Sequence, residues 1–253
     1  MSTQDIYNAV IGATKRRLAS LVSDSLQHLD IGAGEGNLIL EFRKHFTVDS
    51  CACDFHIERF AADKVACAQL NLNNDPLPYA DEQFDLVTTS EVVEHLESYR
   101  RLLREAFRVT KKGGLLVVTT PNVLNMASRV RNLFCGFANL FGPLPVRHDE
   151  FYSTSGHIMP IPYFYLAHAL MDAGFERLEL DIDKTQKTSV FWLILLFPFI
   201  ALGWWRFMRQ EQKRYKTITA ENKAHVKAHF SWQMLVGRTI VVSAFKPENS
   251  NAT

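Results

Sequence analysis

The sequence predicts an α/β fold in which a doubly wound, mostly parallel sheet carries helices on both faces. Short apolar runs alternate with amphipathic stretches along most of the 253 residues, and such alternation is typical of parallel strands joined by crossover helices. A glycine-rich loop follows the first apolar run, where a strand would turn into a helix. The composition, 47% hydrophobic and 22% charged, suits a globular domain with a substantial core.

The first half of the chain contains five apolar runs bounded by turn-forming residues, and each is expected to be a strand. These runs lie at 25–31, 48–54, 66–72, 84–90 and 114–120. Helices are expected at 37–46, 56–64 and 91–110, because apolar residues recur there at three- and four-residue spacing. A further helix is expected before the first strand, where apolar residues also recur at helical spacing: Ile6, Val10, Ile11, Leu18, Leu21 and Val22.

The C-terminal third has a different organisation. A helix is expected over 161–175, and Gly174 is a plausible residue to end it. Alternating apolar and polar residues predict a strand at 176–183, and a second convincing strand lies at 237–246. An uncharged run, TSVFWLILLFPFIALGWW, occupies 188–205 between them.

Charge and cysteine content limit the functional classes. The net charge of +1 gives no global field that would favour nucleic acid as a partner. The four cysteines include only one close pair, whose one-residue spacing is poor for zinc, so no metal site is predicted. We interpret the thiols as reduced core residues of a cytosolic protein. No apolar stretch typical of a secretory signal is found in the first 20 residues.

The segment HLDIGAGEGN at 28–37 carries the strongest site signal. Its glycines leave the first strand and enter a helix, where backbone N–H groups are free to bind a ligand. The spacing is G-x-G-x-G, and Asn37 stands where a dinucleotide fingerprint needs its third glycine, which disfavours a pyrophosphate site. Asp54 ends the second strand, the place for a carboxylate that binds ribose hydroxyls. These features indicate a nucleoside-containing cofactor, and a tight turn without a ligand is the alternative.

Several ordered motifs extend this signal. They are LDIGAGEGN, CDF, LNLNNDPLPYADEQFDLV, EVVEHLES, LLREAFRVTKKGGLLVVTTPN and LMDAGF. Together they resemble the class I S-adenosylmethionine-dependent methyltransferases, and the third and fourth are similar to ubiquinone-type O-methyltransferases. The resemblance implies a Rossmann-like, seven-stranded sheet whose last strand is antiparallel, and S-adenosyl-L-methionine as the cofactor.

The resemblance also implies residue roles. Asp30 and the loop residues Gly32, Ala33, Gly34 and Gly36 would hold the methionine end of the cofactor. The other implied cofactor-binding residues are Asp54 at the ribose, Phe55 beside the adenine, Asn71 and Leu72 on the adenine side, and Ser90 and Glu91 near the sulfonium. Asn71 departs from the family pattern, which often has aspartate there.

Methyl transfer from a sulfonium needs in-line positioning rather than a metal to activate the donor. An oxygen acceptor also has to lose its proton, and histidine suits that role near neutral pH. His95, in EVVEHLE, and His157, in SGHIMP, are the catalytic candidates. The alternative for His95 is a packing or capping role at the rim of the site.

Two apolar segments bear on where the methyl acceptor comes from. The stripe in 123–145 predicts either a lid helix packed on the domain or an amphipathic helix on a bilayer, with Arg129 and Arg131 facing lipid phosphates. The run at 188–205 would reach about 27 Å as a helix, just short of a bilayer core. A single crossing would separate the strands on either side of it. We therefore expect a segment that lies on or in one leaflet, kinked at Pro198, while a buried insertion or a homodimer contact are alternatives.

The expected organisation is a methyltransferase domain at 1–183 and 237–246, with a lid and acceptor region at 123–160. Residues 184–236 would form a hydrophobic and basic insertion that associates with membrane, and 247–253 a flexible tail.

The expected function is S-adenosylmethionine-dependent O-methylation of a lipid-like or lipid-linked acceptor. The protein would be cytoplasmic and monotopic, associated peripherally with the cytoplasmic face of a membrane. Two alternatives stay open. One is a soluble small-molecule methyltransferase with a dimerising hydrophobic arm, and the other is a non-catalytic donor-binding scaffold in a membrane complex.

Overall fold

The computed structural model describes residues 3–18, 25–144 and 156–248. One seven-stranded sheet forms its centre, with the strand order β3-β2-β1-β4-β5-β7-β6. The strands are β1 Leu26–Ile31, β2 Val48–Asp54, β3 Ala66–Gln69, β4 Phe84–Ser90, β5 Thr110–Pro121, β6 Glu176–Ile182 and β7 Thr239–Phe245. Strands β1 to β5 pair in parallel, whereas β7 is antiparallel to both β5 and β6. The predicted α/β sheet with an antiparallel last strand is confirmed.

Eight α-helices are found in the described residues. They are α1 Thr3–Arg17, α2 Asn37–Arg43, α3 Tyr99–Val109, α4 Met126–Cys135, α5 Tyr163–Asp172, α6 Lys187–Gln210, α7 Lys223–Ala228 and α8 Trp232–Val236. The short helices α7 and α8 were not predicted, because few apolar positions fit into one or two turns. Leu21 and Val22, predicted to extend the first helix, lie outside the described residues.

The sheet is covered on both faces. On one face, Leu103 of α3 and Leu170 of α5 pack with strand residues such as Leu116 in the largest apolar cluster. On the other face, Val10 of α1 and Phe42 of α2 pack with a separate set of strand side chains. This arrangement explains why the central strands are continuous apolar runs, since both of their faces are buried.

Two helix predictions were wrong in part. Residues 56–64 form only a 3₁₀ turn, Ile57–Arg59, and then an extended segment whose Ala61 N–H bonds the Glu35 carbonyl. Residues 91–98 form a 3₁₀ turn, Val93–His95, before α3 begins. In each case contacts with the strand ends replace the helical hydrogen bonds, and short isolated helices have little stability of their own.

The apolar run forms most of α6, which lies in sequence between β6 and β7. One side of α6 packs against α4 and α8, with Leu193 buried beside Met126 and Val236. The helix runs unbroken through Pro198, and the kink proposed there stays a prediction. Among the cysteines, Cys53 is buried as expected, but Cys135 at the end of α4 is exposed and is not a core residue. The predicted division into a domain and an insertion at 184–236 also stays a prediction.

Candidate active site

Loops at the carboxyl ends of β1, β2, β3 and β4 line a cavity of about 170 Å³, called here the edge cavity. Seven residues singled out from the sequence line it: Gly32, Asp54, Phe55, Asn71, Leu72, Glu91 and His95. His56, Val92 and Leu96 complete the lining. Parallel α/β sheets bind ligands at this edge, outside the carboxyl ends of their strands.

The glycine loop approaches its neighbours closely at Gly32 and Gly36. Both have positive φ angles, +72° and +81°. A Cβ on Gly32 would stand 2.3 Å from Val92 Cγ2, and one on Gly36 would stand 2.7 Å from Ala62 Cβ. Only glycine avoids both the clash and the backbone strain at these positions. Ala33 and Gly34, together with Gly32, also line a cavity on the opposite side of the loop, toward α1.

Asp54 fixes the glycine loop from the end of β2. Its Oδ2 accepts a hydrogen bond of 2.8 Å from the Gly34 N–H, and its Oδ1 accepts one of 2.8 Å from the His56 N–H. A carboxylate has room for further hydrogen bonds. The position of Asp54 on the edge cavity therefore fits a group with adjacent hydroxyls as well as the loop itself.

A chain of buried polar groups lies behind the loop. Thr88 Oγ1 donates to Asp30 Oδ1 at 2.7 Å and lies 2.9 Å from His28 Nε2, while Ser50 Oγ lies 3.1 Å from His28 Nδ1. Burial lowers the pKa of His28 to about 3 and raises the pKa of Asp30 to about 7. At neutral pH the imidazole is thus neutral, and the Asp30 carboxyl is poised to ionise when a cationic group comes near.

Glu91 follows β4 in a left-handed conformation, with a φ of +56°. Its N–H bonds Thr119 at the end of β5, and the Thr119 hydroxyl donates to Glu91 Oε1 at 3.1 Å. Burial raises the pKa of Glu91 to about 7. A non-glycine residue held in this conformation is a mark of functional sites. The preceding residue, Ser90, has a buried hydroxyl with no hydrogen-bond partner among the described residues.

The two histidine candidates lie together. The rings of His95 and His157 meet edge to face with centroids 4.8 Å apart. His95 Nδ1 lies 2.9 Å from the Gly156 carbonyl oxygen, and the His157 ring hydrogen-bonds the Leu140 carbonyl. Burial is the main cause that lowers the pKa of both imidazoles. The lowered pKa favours the neutral form of each imidazole. His95 Nδ1 is engaged with backbone, whereas His157 Nδ1 is buried without a hydrogen-bond partner among the described residues.

A second cavity, of about 370 Å³, is called here the α4–α6 cavity. Its lining residues come from the end of β5, from α4 and the loop after it, and from the segments before α6 and β7: Pro121, Asn122, Asn125, Arg131, Asn139, Leu140, Gln186 and Arg238. His95 lines the edge cavity, and Leu140 lines the α4–α6 cavity while bonding His157. His95 therefore belongs to the edge cavity, and His157 is linked to the lining of the α4–α6 cavity through Leu140 alone.

Sequence reasoning missed Glu94, the buried neighbour of His95. Glu94 is fully buried, its Oε2 accepts a 3.0 Å hydrogen bond from Thr120, and burial followed by the nearby Glu91 raises its pKa well above the ordinary value. A charged residue inside a short apolar stretch, EVVEHL, was the available signal. Arg129 and Arg131, which the bilayer alternative for 123–145 would turn toward lipid phosphates, each donate to a backbone carbonyl. That alternative stays a prediction.

Comparison with known proteins identifies the family. Residues 6–180 match the model of a methyltransferase domain. The chain is 35% identical over 198 residues to the demethylmenaquinone methyltransferase of Corynebacterium urealyticum, covering 75% of this chain and 78% of that protein. Other alignments are shorter: that with the demethylmenaquinone methyltransferase of Alkalihalophilus pseudofirmus is 32% identical and covers 41% of this chain and 46% of the relative. Several of the curated relatives are thus spanned over about half of their length or less.

Solved structures share the fold. A methyltransferase from Archaeoglobus fulgidus aligns with a TM-score of 0.54 at 17% identity, covering 96% of this chain and 98% of that one. The [4+2]-cyclase SpnF aligns equally well, with a TM-score of 0.54 at 20% identity over 94% and 81% of the two chains. The fold alone therefore does not fix the chemistry.

The chain belongs to the family of S-adenosylmethionine-dependent methyltransferases, as the match over residues 6–180 and the relative of 35% identity show. The predicted family is confirmed, and S-adenosyl-L-methionine is the cofactor of this class. Asp54 places a carboxylate on the edge cavity, and Gly32 lets the backbone reach it without a Cβ, so this opening fits such a group. The expected free N–H groups are not found at these loop residues, because those of Gly32 and Ala33 bond the Cys53 carbonyl and that of Gly34 bonds Asp54. The role of each site residue stays a prediction.

Proposed function

We propose that this chain transfers a methyl group from S-adenosylmethionine to an oxygen of a lipid-like or lipid-linked acceptor at a membrane surface. The observation that carries the methyl-transfer part is the convergence of seven sequence-predicted residues on the edge cavity. The bound cofactor would supply an electrophilic methyl group. The protein contributes mainly position, because an in-line displacement needs the acceptor oxygen, methyl carbon and sulfur aligned.

The cofactor would lie across the glycine loop. Asp54 would accept hydrogen bonds from the ribose hydroxyls, with Phe55, Asn71 and Leu72 around the base. Asp30 would favour the ammonium of the methionine end, held in place through Thr88. Glu91, fixed by Thr119, would border the sulfonium.

The acceptor would enter through the α4–α6 cavity and meet the donor beside His95 and His157. The polar lining of this cavity at Asn122 and Asn125 would orient an acceptor hydroxyl. Under this proposal the histidine pair would accept the hydroxyl proton. The position of His95 on the edge cavity supports a role for the pair close to the transferred methyl group.

An exposed apolar surface supports the membrane part of the proposal. The apolar face, as defined here, consists of the exposed side chains of α4 and α6: Leu133, Phe134, Phe191, Ile194, Leu195, Phe199 and Leu202. Leu133 and Phe134 are 79% and 78% exposed, and Ile194 and Phe199 are 75% and 74% exposed. Contiguous apolar surface of this kind marks contact with a membrane or another protein.

The positive charge at the C-terminal end of α6 supports contact with the headgroups of a lipid surface. Its C-terminal end and the following turn carry a series of exposed basic residues: Arg206, Arg209, Lys213, Arg214 and Lys216. Arg209 stacks over the Trp205 ring at 4.9 Å. Tryptophan and basic side chains at one level are typical of a segment at the boundary between headgroups and acyl chains.

The fold favours attachment to one leaflet over a complete crossing. Among the described residues one helical stretch, Lys187–Tyr215, is long and apolar enough to cross a membrane, and only 11% of its most apolar window is buried. Yet β6 and β7, on either side of it in sequence, are neighbours in one sheet. A crossing would separate them, so α6 is proposed to lie along the surface.

The α4–α6 cavity lies at the N-terminal ends of α4 and α6, the two helices that carry the apolar face. Asn125 caps the start of α4, and its Oδ1 accepts a 3.0 Å hydrogen bond from Ser189 in the first turn of α6. Asn125 and Gln186, the residue before α6, both line this cavity. An acceptor with an apolar tail would reach the site from the bilayer without crossing water. Relatives named for demethylmenaquinone add support for a quinone-like lipid.

The experiment that tests this function is incubation with methyl-labelled S-adenosylmethionine and a total membrane lipid extract. We expect label in the organic phase, in a product identifiable by mass spectrometry, and much less of it with Asp54→Ala at a limiting donor concentration. Label only in water-soluble products would favour the small-molecule methyltransferase. Binding of the donor without transfer to any extract would favour the non-catalytic scaffold.

A further inference from the structure

We propose that Glu94, His95 and His157 form a binding site for one divalent metal ion beside the edge cavity. This inference rests on the proposed function, because it names how the same site would activate the acceptor hydroxyl. The three residues can each offer one ligand atom, and these atoms lie within 4.8 Å of one another. Ligands around one zinc ion lie roughly 3.3 Å apart, so these atoms would have to approach one another by up to about 1.5 Å on binding.

The side of each residue that faces away from the site is already bonded to the protein. His95 Nδ1 lies 2.9 Å from the Gly156 carbonyl oxygen, and the His157 ring bonds the Leu140 carbonyl. Thr120 Oγ1 donates to Glu94 Oε2 at 3.0 Å. Metal-binding histidines almost always donate their other ring N–H to a carbonyl or carboxylate, which fixes the tautomer and the ring orientation.

The atoms that remain are unsatisfied. Glu94 Oε1 and His157 Nδ1 are buried and have no hydrogen-bond partner among the described residues. Glu94 has no exposed surface at all. A buried polar atom without a partner is costly and calls for an explanation such as an ion or a catalytic role. One cation bound between these atoms and His95 Nε2 satisfies both of them.

The donor set indicates the class of metal. Two imidazoles and one carboxylate form the ligand set of open catalytic zinc sites, in which the fourth position is left for water or substrate. Imidazole also suits other divalent ions of the first transition series, whereas calcium prefers oxygen ligands alone. The cysteine-based reasoning that predicted no metal did not consider this grouping, because His157 comes from a distant segment.

Such an ion gives the acceptor a defined chemistry. An acceptor hydroxyl bound at the open position would lose its proton to solvent more readily, because a cation lowers the pKa of bound oxygen. The acceptor oxygen would then form a bond to the methyl carbon as the carbon–sulfur bond breaks. The electron pair of the broken bond stays on sulfur. The products are the methylated acceptor, S-adenosylhomocysteine and one proton.

The test is metal binding by the full chain, stripped with a chelator, dialysed against Zn²⁺ and measured by elemental analysis. We expect one Zn²⁺ per chain in the wild type and in His168→Ala, which removes an exposed histidine outside the site. His157→Ala and Glu94→Gln should each weaken affinity at least about 10-fold, with melting temperatures of the stripped proteins compared to confirm folding. The same titrations with Co²⁺ should give a visible absorption band that both variants lose.

Zinc binding that is absent, or equal in His157→Ala and His168→Ala, would overturn the metal site. Donor binding measured on the stripped protein separates this result from the proposed function. Intact S-adenosylmethionine binding without metal binding overturns only the metal inference, whereas loss of donor binding in a folded wild type contradicts the methyltransferase proposal itself.

Discussion

His95 and His157 lie with their ring centroids 4.8 Å apart, although one follows β4 and the other precedes α5. Their contact brings a residue of a distant segment, His157, against a residue that lines the edge cavity, His95. The proposed donor site and both catalytic candidates are thus close together at the carboxyl edge of the sheet.

Asp54→Ala should weaken binding of S-adenosylmethionine. The substitution removes a carboxylate on the edge cavity that also accepts the Gly34 N–H. Losing hydrogen bonds to a charged group costs about 1.5–3 kcal/mol, which corresponds to roughly 10- to 100-fold in affinity. Isothermal titration measures the change, with Asp49→Ala on the exposed side of β2 as the control. Equal affinity in the wild type and Asp54→Ala would contradict the ribose assignment.

Gly32→Ala should destabilise the protein more than Gly34→Ala. Both glycines have positive φ angles, so both substitutions add backbone strain. Only at Gly32 would the new methyl group meet Val92, at 2.3 Å, whereas nothing lies within 4 Å at Gly34. Overpacking adds about 1–3 kcal/mol.

Chemical denaturation measures this difference. Val92→Ala should recover part of the loss when combined with Gly32→Ala, because it removes the atoms that clash. If the two glycine variants are equally stable, the close contact with Val92 is not what restricts residue 32.

Asp30→Asn should make stability more sensitive to acid. The folded pKa of His28, about 3, is below its ordinary 6.5, so its contribution to stability is lost as pH falls below 6.5. The folded pKa of Asp30, about 7, is above its ordinary 3.8, so its contribution is lost as pH rises toward 7. Between pH 3.8 and 6.5 the two groups therefore change the stability in opposite directions as the pH varies.

Removing Asp30 leaves the His28 slope unopposed. As the pH is lowered, the unfolding free energy of Asp30→Asn should therefore fall more steeply than that of the wild type. The difference in slope should be up to about 1.4 kcal/mol for each pH unit. Urea unfolding at several pH values from 4.5 to 6.5 tests this, with Asp49→Asn as the control for an exposed carboxylate. Parallel pH profiles for Asp30→Asn and the wild type would rule out the opposed titration.

Ile194→Glu combined with Phe199→Glu should release the protein from lipid vesicles. Both side chains are exposed on the apolar face, and inserting each is worth about 1.5–3 kcal/mol, so binding should fall by more than about 10-fold. Flotation with anionic vesicles measures it. The control, Gln4→Glu with Thr47→Glu, adds the same charge at exposed positions outside the apolar face. Unchanged flotation combined with a shift from dimer to monomer would assign the apolar face to a homodimer.

The sheet was predictable because its signals are local. Buried strands are apolar runs, and the glycine loop and Asp54 mark two strand ends directly. The segments at 56–64 and 91–98 have helical spacing, but hydrogen bonds to the glycine loop and to Thr119 replace helical ones. Such tertiary contacts cannot be read from spacing alone.

The candidate site was predictable residue by residue but not as an arrangement. His95 and His157 were separate candidates, and nothing in the sequence places them in contact. Glu94 was missed because its significance comes from complete burial beside them. The exposure of α6 was also beyond the sequence, since an apolar run predicts a buried or a membrane-bound helix equally well.

The most direct test of the central claim compares methylation of one acceptor lipid in vesicles and in detergent. The wild type should methylate both, whereas Ile194→Glu with Phe199→Glu should lose activity on vesicles and keep it in detergent, because its donor site is intact. Asp54→Ala should fail in both. Equal activity of the surface variant and the wild type on vesicles would contradict methyl transfer at a membrane surface.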